Sequence, residues 1–316
     1  MERIRPFLLL HPAPFLNHPP SMLSVVTRVP ATTANLGPGY DCLGVALGLA
    51  NRVRVSRLGA DNEAAAPATH VGPGFAMADE AAKAFFHRSS AAPFPFSWSI
   101  EGEVPPSRGM GSSVTIRLGL LGGLNALSGS PLSPFELFEL CATLEGHPDN
   151  AAPAAFGGFT VAGGAVPARF EVSPDLAFVL LIPDFEVSTP DARRVLPPQL
   201  NRLAAVASCA NACRITAAFA SQNYALLRNA FNDGLHQPFR RALIPFLNEV
   251  IFAGEKAGAL GGFLSGSGST ICCVTLDHAE AVAEAMAAAA PGTTRTVITH
   301  ADNVGMSICP PETLPS

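Results

Sequence analysis

The chain has 316 residues, 48% of them apolar and 14% charged, with a formal net charge of −5. This composition belongs to a globular protein with room for one large or two medium cores, and it excludes disorder. A small acidic surplus without a basic run argues against nucleic acid as the main partner.

Residues 1–22 carry Leu8-Leu9-Leu10 among several prolines. The run is too short and too broken for a signal core or a membrane span, so a loose N-terminal extension is expected, with Met22 an alternative start. Residues 25–29 read as a strand, followed by a turn rich in Gly and Pro from Ala34 to Asp41. Residues 45–49 and 53–58 read as two further strands about Asn51-Arg52. A connection over 59–74 precedes a helix at 76–87 and a strand at 96–101.

Val104-Pro105-Pro106 then leads into Arg108-Gly109-Met110-Gly111-Ser112-Ser113, a glycine-dense turn that opens a helix. Glycines let the backbone approach a ligand, and the helix N-terminus adds unpaired N–H donors and partial positive charge. The result is an anion cradle suited to a nucleotide phosphate, although an ordinary loop and cap use the same residues. It is not the Walker form, because no Gly-Lys-Ser/Thr follows.

The helical spacing after the loop stops at Gly129-Ser130-Pro131, and Ser133-Pro134-Phe135-Glu136 is a capping box that starts the next helix. That helix should reach about residue 144 and end at Gly146. Residues 154–162, containing Gly157-Gly158, are expected to close the first half with a strand. In the second half, 176–182 reads as a strand and 204–220, 223–232 and 244–257 as helices. Phe263-Leu264, the Ser265-Gly266-Ser267-Gly268-Ser269 loop, a strand at 271–276, a helix at 278–290 and a strand at 295–299 follow. Strands and helices alternate in the second half, which suggests an α+β class; two domains are expected, 23–165 and 166–316.

Three further segments carry chemistry. Glu145-Gly146-His147-Pro148-Asp149-Asn150 packs two carboxylates, an imidazole and an amide into six residues. Glu145, with the hydroxyl of Ser112 or Ser113, offers the hard oxygen ligands that Mg²⁺ prefers; a polar turn capped by Asp149 or Asn150 is the alternative. Asn35 and Asp41 could present an amide and a carboxylate to a polar ligand, or simply shape a hairpin. The Ser265–Ser269 loop either wraps a ligand or joins two strands. The seven cysteines, odd in number and without Cys-x-x-Cys, are expected to be buried reduced thiols of a cytoplasmic enzyme. Cys209 and Cys213 could share a helix face, but no histidine pair suggests zinc.

Taken together these segments resemble the signatures of the GHMP kinases, in order. The first runs from Val29 to Asp41, the second from Val104 to Ser113, and the third from Leu264 to Thr270. Within that superfamily, Glu145 to Pro153 with Gly157-Gly158, Ser188-Thr189-Pro190-Asp191-Ala192-Arg193 and Leu235-His236-Gln237-Pro238-Phe239-Arg240 are most similar to the homoserine kinase family. The resemblance spans about residues 24 to 309. It implies a ribosomal protein S5 domain 2-like N-terminal domain, a ferredoxin-like C-terminal domain, and a site in the cleft between them. It further implies ATP-dependent phosphorylation of the L-homoserine hydroxyl, a step toward threonine, in a cytoplasmic and sometimes dimeric enzyme with no nucleic-acid or membrane partner.

Carried over by position, the resemblance has Pro106, Ser107, Arg108, Gly109, Met110, Gly111, Ser112, Ser113, Gly266 and Gly268 around ATP. Ser112 or Ser113 with Glu145 would hold Mg²⁺. Asn35, Asp41, His147, Asn150, Arg193 and Arg240 would form the amino-acid site, with Asp41 suited to the ammonium and the two arginines to the carboxylate. Either His147 or Asp149 takes the hydroxyl proton, or Asn150 orients the hydroxyl and the phosphate accepts it. Other GHMP small-molecule kinases, and non-catalytic amino-acid or nucleotide-binding relatives, remain alternatives. The chain departs from the family pattern at Val114, Thr115 and Arg117, where small or apolar residues are usual. Arg117 is placed either to reach a phosphate or to extend to solvent. It also has Ser267 and Ser269 where Ala and Pro are usual, which predicts a looser third loop, and it lacks an Asn-Leu-Val run before Ala78-Asp79-Glu80.

Overall fold

Strands β1 (Ser24–Ala34) and β2 (Leu43–Arg57) form a long antiparallel pair that begins at Ser24 opposite Ser56 and ends at Ala34 opposite Gly44. The structure is a computed structural model, and it describes residues 23–58 and 73–310. The expected extension at 1–22 and most of the 59–74 connection therefore lie outside the described residues. Where two strands were expected around Asn51-Arg52, β2 is continuous. The register slips between Pro30 and Ala31, so the extra residues are absorbed as a bulge and the strand bends without breaking. Asn51 is buried in the strand, where its amide donates to Thr115 Oγ1 (2.9 Å) and accepts from Val104 N (3.1 Å).

The first sheet has the order β10-β1-β2-β4-β5, with β3 (Phe96–Gly102) also on β2, where β4 is Phe159–Val161, β5 is Ala168–Phe170 and β10 is Ser307–Ile308. Helices α1 (Pro73–Ser89), α2 (Ser112–Leu127) and α3 (Pro134–Glu145) contribute Phe85, Leu118, Leu121, Leu124 and Leu137 to a core with Val29, Val53 and Val55 of that sheet. The capping box at Ser133 forms as expected: its side chain accepts from Glu136 N while Glu136 returns to the Ser133 backbone.

The second sheet has the order β7-β8-β6-β9, with β6 Ala177–Pro183, β7 Gly261–Leu264, β8 Ile271–Thr275 and β9 Thr294–His300. Helices α8 (Leu247–Lys256) and α9 (Ala279–Ala289) cover one face through Val250, Val282 and Met286. The other face joins the first sheet in one core: Leu47 and Phe159 pack with Phe178, Leu180, Phe219 and Phe263. Phe159 and Phe219 stack at 4.2 Å between centroids.

Several expectations are corrected. The stretch at 154–162 ends in the expected strand, β4, but it opens as the end of a short helix, α4 (Ala151–Phe156), with Gly157-Gly158 between the two. The expected helix at 223–232 is a 3₁₀ turn at Tyr224–Leu227, because Asn229 adopts a left-handed φ of 60° that ends helical continuation. A division at 165/166 falls inside the first sheet, since β5 pairs with β4 and β10 returns to β1. The ion pair Arg28–Asp302 (2.6 Å) holds that return.

Cys141, Cys272 and Cys273 are buried and burial pushes their thiols up, but Cys209 and Cys213 are exposed. Those two sit on α6 (Arg202–Ser221), whose alanine-rich surface allows small thiols to face solvent. Among the described residues α6 is the one helix long and apolar enough to cross a membrane by length and composition; here Ile215, Ala218 and Phe219 anchor it in the shared core.

Candidate active site

The backbone of the glycine loop is tied into the surrounding segments through its carbonyls. Its carbonyls turn back into the protein one after another. Ser107 O accepts from Val187 N (3.3 Å), Arg108 O from Thr270 N (3.2 Å) and Met110 O from Thr32 N (3.1 Å). Gly109 O accepts from Ser265 Oγ (2.7 Å), Gly111 O from Thr115 N (3.0 Å) and Ser112 O from Thr115 Oγ1 (2.7 Å). Among the described residues no protein acceptor pairs with the N–H groups of residues 108–113. With their carbonyls held by other groups, the unpaired peptide N–H groups of the loop leave partial positive charge beside the N-terminus of α2, a setting suited to a polyanion.

The two glycines serve this packing, a different reason from the close ligand approach expected of them. A Cβ on Gly109 (φ 72°) would stand 2.1 Å from Ser265 O, and one on Gly111 (φ 69°) 2.1 Å from Thr32 Oγ1. The side chains of Met110 and Arg108 point elsewhere. Met110 is buried in the core. Arg108, expected at the phosphates, reaches the second sheet, where Nε donates to Pro183 O (3.1 Å) beside Glu186 (3.4 Å). With Pro106 it lines a cleft of about 610 Å³ shared with Pro183, Asp184 and Arg295.

Gly266 and Gly268 lie behind the loop: a Cβ on Gly266 would meet Gly109 O at 3.1 Å and one on Gly268 would meet Ile244 Cδ1 at 2.6 Å. The third loop is not slack. Ser265 and Ser269 are fully buried, Ser265 Oγ shares a hydrogen bond with Thr33 Oγ1 (2.8 Å), and Ser269 Oγ donates to Phe185 O (2.6 Å). Hydroxyl bonds supply the rigidity expected of a proline.

At the mouth of the loop Ser113 Oγ donates to Glu145 Oε2 (2.8 Å). A hydroxyl and a carboxylate oxygen thus converge beside the unpaired N–H groups. Both are hard oxygen donors, so this set fits Mg²⁺. Ser112 is half-buried at the same helix end. Arg117 neither extends to solvent nor faces the loop's N–H groups: its Nη1 pairs with Glu145 Oε1 (2.6 Å) and its Nη2 with Glu80 Oε2 (2.7 Å).

A second cluster lies across Thr32. Thr32 Oγ1 donates to Asn150 Oδ1 (2.7 Å) while its N–H serves Met110, so one residue ties the glycine loop to the Glu145–Asn150 segment. Asp149 is 2% exposed, and its Oδ1 sits 2.6 Å from His147 Nδ1 and accepts from Asn150 N (3.0 Å). It is a buried brace for its two neighbours. The hydrogen bond to Asp149 raises the His147 pKa against the opposing effect of burial. Ligating atoms of Asp41, His147 and Asp149 come within 4.8 Å of one another.

Asp41, in a left-handed turn, forms a two-pronged pair with Arg193 (2.8 and 3.1 Å) from α5 (Thr189–Arg194). Arg193 also donates to Tyr40 Oη (2.8 Å). Arg240, from α7 (Gln237–Arg240), is 2% exposed; Nε donates to Ala192 O (3.1 Å), and Nη1 to Gly266 O (2.9 Å) and His236 Nδ1 (3.2 Å). Its carbon lies 5.2 Å from the Tyr40 ring centre. Asn35 is buried and engaged at both ends: its amide donates to Gly266 O (3.0 Å) and accepts from Asp41 N (2.9 Å). It braces the first loop against the third.

Tyr40, His236 and Thr32 were not singled out from sequence, although each lies inside a quoted motif. His236 is fully buried, donates through Nε2 to Gly37 O (2.8 Å), and is kept neutral because burial lowers its pKa to about 4. Tyr40 packs on it at 5.2 Å. Their roles come from contacts that no spacing rule encodes.

Comparison with known proteins identifies the family and the fold. Residues 76–158 match the GHMP kinases N terminal domain and residues 215–292 the GHMP kinases C terminal domain. The chain is 38% identical to the homoserine kinase of Moorella thermoacetica over 275 residues, covering 84% of this chain and 92% of that protein. It is 40% identical to the homoserine kinase of Synechococcus sp. over 280 residues, covering 84% and 90%. The crystal structure of homoserine kinase from Cytophaga hutchinsonii shares the fold, with a TM-score of 0.81 at 22% identity over 92% of this chain and 98% of that one. The Methanococcus jannaschii mevalonate kinase is more distant, with a TM-score of 0.66 at 15% identity over 89% and 99%.

Proposed function

Because the chain belongs to the GHMP kinases, and within them to the homoserine kinase family, we propose that it transfers the terminal phosphoryl group of ATP to the side-chain hydroxyl of L-homoserine. The observation that carries this reading is the glycine loop with six carbonyls tied back, linked through Thr32 to Asn150 in a segment that also carries His147 and Asp149, with the Asp41–Arg193 ion pair completing a cluster of opposite charges. The loop N–H groups of residues 108–113 would cradle the ATP phosphates. Ser113 and Glu145, with Ser112 beside them, would hold Mg²⁺, which when bound spreads the phosphate charge. The expectation that Arg108 and Met110 take part then narrows to their backbone.

The amino acid suits the second cluster. Asp41 and Arg193, paired with each other here, are complementary to an ammonium and a carboxylate, and homoserine would exchange one internal ion pair for two. Arg240, with Nη2 not donating to any described group, and the half-buried Tyr40 complete the clamp. Asn150, whose oxygen is committed to Thr32 and whose amide nitrogen makes one long 3.4 Å contact to Asp149, keeps its second amide hydrogen for the hydroxyl. His147 has Nδ1 committed to Asp149, leaving Nε2 as the proton acceptor. The new O–P bond forms as the β–γ bridge breaks, ADP leaves, and the hydroxyl proton passes to His147. Such transfer relies on positioning and charge, which this rigid set supplies. The family membership also supports a cytoplasmic enzyme serving threonine synthesis.

A coupled ADP-release assay with Mg-ATP tests this against homoserine, threonine, serine and mevalonate. Homoserine should be the preferred acceptor by a wide margin. Absence of homoserine-dependent ADP release would refute the assignment.

A further inference from the structure

Arg117 stands in the second turn of α2, where the family pattern has an apolar side chain. It is only 12% exposed, and its two terminal nitrogens reach different carboxylates: Glu145 at 2.6 Å, itself 7% exposed, and Glu80 at 2.7 Å, 54% exposed and on α1. Its Nε is buried with no hydrogen-bond partner among the described residues. Burying a guanidinium with one donor unmet costs free energy, so the position is held for what it does to a neighbour. That neighbour is Glu145. Without a cation, a carboxylate so enclosed would be left with only the Ser113 hydroxyl.

We infer that Arg117 is a resident counter-ion for the metal-binding carboxylate, holding Glu145 in place before a cation arrives and setting the Mg²⁺ concentration at which the site fills. This rests on the reading that the loop binds a nucleotide phosphate. One oxygen of Glu145 faces Ser113 and the other faces Arg117, so the arginine and an incoming dication compete for the same charge. Glu80 gives the displaced guanidinium a second partner closer to solvent. The same positive charge, near the N-terminus of α2, favours polyphosphate when no metal is present. The two effects have opposite signs, which a merely structural arginine would not produce.

The test is ADP binding by calorimetry, in EDTA and across a MgCl₂ series, for the full chain and for Arg117→Met. The variant should need about tenfold less Mg²⁺ for half-saturation, while its ADP affinity in EDTA falls several-fold. Should Arg117→Met not fold, Arg117→Gln keeps a donor for Glu145, removes the charge, and should shift both quantities in the same directions. An unchanged or raised Mg²⁺ requirement overturns the inference, as does an equal loss of ADP affinity with and without metal. Failure of the unaltered protein to bind ADP would overturn the kinase reading and this inference with it, whereas ADP binding with an unshifted Mg²⁺ requirement overturns the inference alone.

Discussion

Replacing Gly111 by alanine isolates the packing that holds the glycine loop together. Gly111 has φ 69°, and the new Cβ would lie 2.1 Å from Thr32 Oγ1 and 3.4 Å from Asn150 Oδ1. The left-handed backbone alone costs an alanine about 1–2 kcal/mol. Thr32 is fully buried and cannot yield without losing its 2.7 Å bond to Asn150. That loss and the forced repacking add about 2–3 kcal/mol, for a total near 3–5 kcal/mol. Gly146 provides the control, because its φ is 80° and a Cβ there meets nothing within 4 Å. Gly146→Ala should cost only the backbone strain of about 1–2 kcal/mol. Urea unfolding of the two variants at pH 7 measures the difference directly. Equal destabilisation, within about 0.5 kcal/mol, would refute the claim that contact with Thr32, and not φ alone, demands glycine at 111.

Protonation offers two further tests. His236 has its folded pKa lowered to about 4 by burial, below the ordinary 6.5, so the unfolded chain binds this proton first as pH falls. Its contribution is complete above about pH 6.5 and is lost toward pH 4, a loss of order 3 kcal/mol. His236→Gln should flatten that part of the stability–pH curve, and an unchanged slope would contradict a neutral buried histidine. For His147 the shift runs upward, chiefly through its bond to Asp149. Asp149→Asn should lower the His147 pKa, read by NMR titration of its ring, and should reduce kcat by about a hundredfold with a smaller change in homoserine KM. An unmoved His147 pKa would show that Asp149 does not set the state of that ring.

Local chemistry was written plainly in the chain. The Ser133–Glu136 capping box, the Gly146 stop and the glycine-dense turn opening α2 obey short-range rules, because φ and hydrogen bonds within four residues decide them. The order of the motifs was legible too, and with it the family and its fold; whether Ser112 or Ser113 stands against Glu145 was left open by the sequence, and the folded chain puts Ser113 there. Alternating patterns were less informative where tertiary contacts intervene. Asn51 looked like a turn residue until its buried amide was seen bracing α2, and the 223–232 stretch had helical composition but a left-handed Asn229.

What only the folded chain decided is where long side chains point and which backbone groups remain unpaired. Arg108 turns to Pro183, Arg117 to Glu145, and Arg193 to Asp41, choices fixed by partners 28 to 152 residues away in sequence. The return of β10 to β1 is of the same kind, since the two-residue β10 meets the long β1 across the whole of the second sheet in sequence. Even the glycine loop changed meaning. Its sequence announced a place where backbone could meet an anion, but its N–H groups are free because Thr32, Val187, Ser265 and Thr270 hold its carbonyls from other elements. Short-range rules specify what a backbone can do; the packing of distant segments determines which of its dipoles are left for a ligand.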